Sequence, residues 1–164
     1  MRNVIPIMGT SADPQPEKRL VLRMLDLWRQ ARNDEQLPLA TSLAIADTGA
    51  DADYVYTLDC SDATEARFTH IGEALRVANW PMTNTTLVAA YPDDSVLGLT
   101  SRRWPEIVER RVPVTRGGLG HHAVHSVLYR SIMMPLVNER GEISVILGAV
   151  NWRAVEEQGG TAIE

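Results

Sequence analysis

At 164 residues, 45% of them hydrophobic, the chain carries enough material for one buried core and too little for two domains of ordinary size. A net charge of −5 argues against nucleic acid or an anionic bilayer as the partner of the whole molecule. The single cysteine, Cys60, excludes an internal disulfide, and no run approaches the roughly 20 apolar residues needed to span a bilayer. With no secretory signature at the start, the cytosol is the expected compartment.

Residues 1–16 read as a flexible arm and 156–164 as a flexible tail, leaving residues 17–155 as a single domain. Asp13 before Pro14 has the form of a helix start, and Leu20, Val21, Met24, Leu25, Leu27, Trp28 and Ala31 recur at helical spacing up to Asn33-Asp34. Leu20, Met24, Leu25 and Trp28 make its apolar face, which must bury against its own domain or against the same helix of a second copy; the second arrangement gives an expected homodimer. Pro38 then keeps Leu37 to Ile45 out of a regular helix.

Tyr54 to Leu58 alternates as a strand, and Arg67 to Ile71 is its hairpin partner, stopped by Gly72. Between Glu73 and Arg111, Pro81, Pro92, Gly98 and Pro105 break the chain into short helices; Trp104 to Arg110 is the clearest, with Ser101 as its expected cap. Val112 to Thr115 reads as a short third strand. Gly117 to His125, GGLGHHAVH, reads as a loop with exposed histidines leading into a strand from His125 to Val137. Asn138 to Gly141 is a turn, and Ile143 to Trp152 is a strand with apolar residues at both parities, which predicts a central position with both faces covered. Helix, two strands, short helices and three strands make an α+β fold with an antiparallel sheet.

That order resembles a PAS domain, in which five strands lie in the spatial order 2-1-5-4-3 with short helices between the second and third. More narrowly, the chain is similar to the short bacterial PAS-type proteins of PAS family 5. The residues that carry the likeness are Trp28, Leu37-Pro38, Phe68-Thr69-His70-Ile71-Gly72, Pro135-Leu136, Gly141 and Leu147-Gly148. The chain departs from the family at Thr69, where an arginine is usual. The resemblance implies a sensory or regulatory module of bacterial signal transduction. With about a dozen residues after the last expected strand, it would act by contact with a signalling protein rather than through an attached output domain. It also implies a pocket between sheet and helices, for which Phe68, His70, Trp80, Tyr91, Trp104 and Tyr129 are the candidate liners of an unidentified small ligand.

The histidines carry no metal reading on a strand: His121 and His125 on one side of an extended segment stand about 13 Å apart, too far to share an ion, and His122 and His125 would point to opposite faces. The glycines precede a strand rather than a helix, so a phosphate cradle is not formed. Residues 73–111 contain neither the cysteine of a flavin photoreceptor nor a haem-ligating histidine, so no cofactor is expected. Asp47, Asp51, Asp53, Asp59, Asp93 and Asp94 show no spacing that forces two carboxylates together, and no catalytic motif is present, so catalysis is not expected either. The rival classes are a cofactor-bearing sensor, with haem held through His70 or the 121–125 cluster, and a small α+β enzyme. Arg102, Arg103, Arg110, Arg111 and Arg116 surround Trp104 with basic charge: either a solvated face with pairs such as Arg102–Glu106, or a docking patch for an anion or an acidic partner.

Overall fold

The computed structural model describes residues 16–33, 35–78, 87–122 and 125–155. The alternation seen in the sequence yields β1 (Val55–Asp59) and β2 (Arg67–Ile71). The polar turn between them is closed by side chains: Asp59 accepts from the Ser61 N–H at 2.9 Å and hydroxyl at 2.7 Å, and Asp62 does the same for Thr64 at 2.8 and 2.7 Å. Three further strands follow, β3 (Val114–His122), β4 (His125–Val137) and β5 (Ile143–Ala154). They form one antiparallel sheet in the order β2-β1-β5-β4-β3, the PAS order. β5 is central, as its apolar residues at both parities require.

Among the described residues four α-helices accompany the sheet: α1 (Pro16–Arg32), α2 (Glu73–Ala78), α3 (Val96–Ser101) and α4 (Trp104–Arg110). Short 3₁₀ segments at Ala40–Ser42 and Ile45–Tyr54 carry the chain from α1 to β1. Ser95 caps α3 by accepting the Gly98 N–H at 3.0 Å. Ser101, expected to cap α4, is instead the last residue of α3; α4 starts from Arg103, with Pro105 in its first turn, where a missing N–H costs nothing.

The two faces of the sheet bury different elements. Tyr56 faces Gly148 across the β1–β5 pair and bonds to Thr100, which places α3 on that face with Ser131, Met133, Ile146 and Val150. The opposite parity, Ile132, Met134, Leu136, Leu147 and Ala149, is also fully buried, and α1 covers it. Trp28 anchors α1 there by donating its indole N–H to the Pro135 carbonyl at 2.9 Å. Of the two arrangements open to this face, Leu20, Met24 and Trp28 take the first and are buried inside their own domain, and Leu25 is half-buried against the same core. What α1 leaves in the open is Leu22, 55% exposed, on its other side.

The glycine-rich stretch is corrected most. β3 is nine residues long and pairs with β4 without a break from Val114–Met133 to His122–His125. Gly117 to His122 are thus strand, and residues 123–124 lie outside the described ones. Because His122 and His125 sit opposite each other on neighbouring strands, they share a face instead of pointing apart. The expected helix start at Asp13-Pro14, Trp80 and the tail from residue 156 also lie outside the described residues.

Candidate functional site

Between sheet and helices the interior is filled with aromatic rings. Tyr56 is fully buried; its hydroxyl shares a hydrogen bond with Thr100 at 2.9 Å, and burial pushes its phenol far above the ordinary range. Phe68 packs edge-on against Tyr56 with centroids 5.7 Å apart, and Tyr91 edge-on against Phe68 at 5.0 Å. Two of the expected liners, Phe68 and Tyr91, are thereby brought together, with Tyr56 as a third member that the sequence reading used only as strand. Its parity was the available signal, since Tyr56 and Leu58 alternate onto the face that Phe68 shares across the hairpin.

The other expected liners are dispersed. Tyr129 is buried on β4 between Gly118 and Trp152. His70 lies at the end of β2, where burial first and the charge of Arg76 second hold its imidazole below the usual pKa; its Nε2 has no partner among the described residues. Thr69, at the family's arginine position, shares a hydrogen bond with Thr57 at 2.7 Å on the surface.

Trp104 lines open space. A cleft of about 640 Å³ lies between α4, the end of β1 and the β4–β5 turn; Trp104, Pro105, Val108 and Ile143 are its apolar lining, and Arg111 and Arg140 line it together with Glu109 and Glu142, the last 3.4 Å from Arg140. A smaller recess of about 180 Å³ lies against Trp104 as well, beside Leu87, Val88 and Arg102. Three separate segments build the larger cleft, held in place by the β1–β5 register and by the Cys60 N–H, which donates to the Ser144 carbonyl at 3.0 Å. Cys60 lines it too, but burial and then the neighbouring Asp59 charge push its thiol up to about 11, which leaves it protonated and unreactive near neutrality.

The five arginines around Trp104 are divided among separate tasks. Arg102 donates to the Tyr91 and Ala89 carbonyls and pairs with Asp93 at 3.0 Å, clamping the 3₁₀ turn at Val88–Ala90. The expected Arg102–Glu106 pair is replaced: Glu106 takes Arg110 at 3.0 Å and Arg116 from β3, and these bonds lower its pKa. Arg111 caps α4 in a left-handed conformation, φ 59°, and donates to the Gly141 carbonyl at 3.1 Å. Arg103 is exposed at the N-cap of α4.

The carboxylates are engaged in the same local way. Asp47 accepts the Ala44 N–H at 2.8 Å, Asp51 holds Arg23 through two bonds of 2.7 and 2.8 Å, and Asp94 lies 3.4 Å from His121. The His122 ring stacks edge-on against Trp152 at 5.1 Å, and burial, then His125, lowers its pKa. Among the described residues no three histidine, cysteine or acidic side chains are placed to hold a metal, and no helix is long and apolar enough to cross a membrane.

No family model matches the chain, and no curated protein does. Among solved structures, it is similar to the N-terminal domain of a diguanylate cyclase with PAS/PAC sensor from Marinobacter aquaeolei, at 16% identity over 59% of this chain and 91% of that one, with a TM-score of 0.45. It is also similar to the PAS domain of BvgS from Bordetella pertussis, at 15% identity over 66% and 79% of the two chains, with a TM-score of 0.36. The PAS-like architecture of this chain stands on its own strand order, with α2, α3 and α4 between β2 and β3.

Proposed function

We propose that this protein is a sensory or regulatory PAS-like module without catalysis, which takes a small ligand at the Trp104 cleft and passes on its state through protein contact. The observation that carries the reading is the contrast between two spaces. The interior under the sheet is occupied by Tyr56, Phe68 and Tyr91, whereas the cleft beside Trp104 stands open, lined by an indole and by two guanidiniums that share it with Glu109 and Glu142. A flat apolar body carrying an anionic group matches that wall: the ring stacks on Trp104 and the anion meets Arg111 and Arg140. An enzyme is disfavoured because the cleft's thiol is protonated and Asp47, Asp51, Asp59 and Asp93 are tied to turns or to arginines.

The test is native mass spectrometry of the purified protein, followed by titration with a panel of small aromatic carboxylates while Trp fluorescence and the thermal midpoint are read. The expected result is a midpoint rise of several degrees with at least one compound, abolished in Trp104→Ala and weakened in Arg140→Ala. A protein that carries no extra mass and whose midpoint no compound moves would remove the ligand from the reading. Turnover of a panel compound would return the enzyme class.

A further inference from the structure

β3 is an edge strand, and among the described residues its outer side is closed at one end and open along the rest. At His121 the outward N–H donates to the Asp94 carbonyl at 2.9 Å, with Ser95 bridged alongside. In an antiparallel ladder the N–H and C=O of one residue point to the same edge, and successive residues alternate. His121 therefore fixes the outward set as Thr115, Gly117 and Leu119, and none of these has an outward backbone partner among the described residues.

The devices that usually protect such an edge are missing from this one. The register with β4 runs from Val114 to His122 without a bulge, and the strand contains no lysine or proline. Its one charge, Arg116, is turned back onto Glu106. Leu119 stands 66% exposed, the most open of the exposed large hydrophobic side chains among the described residues.

We propose that β3 is the docking edge for a second copy of this chain, the two strands pairing antiparallel about a twofold axis at Gly117. In that register Gly117 faces its own equivalent and Thr115 faces the partner's Leu119, so every outward group meets its complement, and each facing pair exchanges two N–H···O=C bonds. The ends match as well. The outer side of His121 is already taken by Asp94 and Ser95, so the ladder runs from Thr115 to Leu119 and stops before the partner's Pro113, which has no N–H to leave unmet. Asp93 and Asp94, paired with Arg102 and His121 yet 85% and 70% exposed, sit at the His121 end, while Arg110, paired with Glu106, and Arg111, bonded to the Gly141 carbonyl, lead into Pro113. The twofold axis brings the acidic end of each edge to the basic end of the other. An unrelated strand would share the backbone ladder but not this self-complementary order, which is why a second copy is the occupant.

The experiment is sedimentation equilibrium of the full chain from low to high micromolar concentration, on the wild type, Leu119→Lys and Thr115→Pro. Both positions are exposed and direct their N–H away from β4, so neither change removes a β3–β4 bond. The expected result is a monomer–dimer equilibrium whose dissociation constant rises by about tenfold or more in each variant, with the far-UV spectrum unchanged. Hydrogen exchange on the wild type gives a reading that needs no variant: the amides of Thr115, Gly117 and Leu119 gain protection as concentration rises. A single-chain mass at every concentration, a dimer indifferent to both substitutions, or protection independent of concentration would overturn the proposal. The cleft reading has a separate readout and stands or falls apart from this one.

Discussion

Tyr56 can lie across β5 because the residue opposite it has no side chain. A Cβ built on Gly148 would fall 2.2 Å from the Tyr56 ring carbon Cζ and 2.5 Å from its hydroxyl oxygen. Gly148→Ala must therefore displace a fully buried ring that also holds Thr100, at a cost of about 1–3 kcal/mol, against the few tenths to about 1 kcal/mol gained by restricting the unfolded chain. The expected outcome is a lower urea midpoint with an unchanged slope. If the ring is the cause, Gly148→Ala costs less in a Tyr56→Leu background than in the wild type; equal costs in the two would refute it. Cys60 supports a pH prediction at the same scale. Its thiol keeps its proton to about 11 in the fold, whereas an unfolded thiol loses it near 9. The native state binds more protons in that window, so stability is present in full below it and falls as pH rises through it. Denaturant titrations in that alkaline range should show a steeper decline for the wild type than for Cys60→Ala, and parallel declines would contradict the assignment.

At the scale of elements, two ties hold the region around α1, and their surroundings rank them. Trp28 bonds the Pro135 carbonyl in a buried setting, so Trp28→Phe strands that acceptor at a cost of about 1–3 kcal/mol. Arg23 and Asp51 form a shorter pair, but the arginine side chain is 52% exposed, and Asp51→Asn is expected to cost no more than about 1 kcal/mol. Thermal melts in low and high salt would check the ranking: the Trp28→Phe deficit stays constant while the Asp51→Asn deficit shrinks, and a reversed order would show that α1 is held by charge. The elements also differed in how visible they were before folding. β1, β2, β4 and β5 could be read because alternation and turn residues agree with the final pairing. β3 could be read only at its start, within Val112 to Thr115, because Gly117, Gly118 and Gly120 remove the side chains whose pattern marks a strand, and it is the ladder with β4 that makes those residues extended. The cleft was half visible in the same sense. Trp104 was named, but its meeting with Cys60, Arg140 and Ile143 depends on the β1–β5 register, which no local pattern encodes. The apolar stripe of α1 marked a buried face without saying whether its own sheet or another chain would bury it.

For the molecule as a whole, the central strands are covered on both faces, and the buried residues of the two faces join in one cluster that runs from Leu20 and Met24 of α1 to Leu97 of α3 and Ile107 of α4. A sheet sandwiched in this way has no face it can expose without losing the other, because β4 and β5 supply side chains to both. Unfolding should accordingly be one cooperative event, with far-UV circular dichroism and Trp fluorescence giving coincident urea transitions. Met24→Ala and Ile107→Ala probe the two faces separately; both residues are fully buried, and each truncation is expected to cost about 2–5 kcal/mol. Helices packed on opposite sides of a sheet stand roughly 10 Å from it on either side, beyond the range of direct contact, so the double variant should show the sum of the single costs to within about 0.5 kcal/mol. Coincident transitions with additive costs mean that the faces share cooperativity through the sheet without touching. A double variant that costs much less than the sum, with transitions that separate, would mean that α1 undocks on its own and that the rest of the domain folds without it.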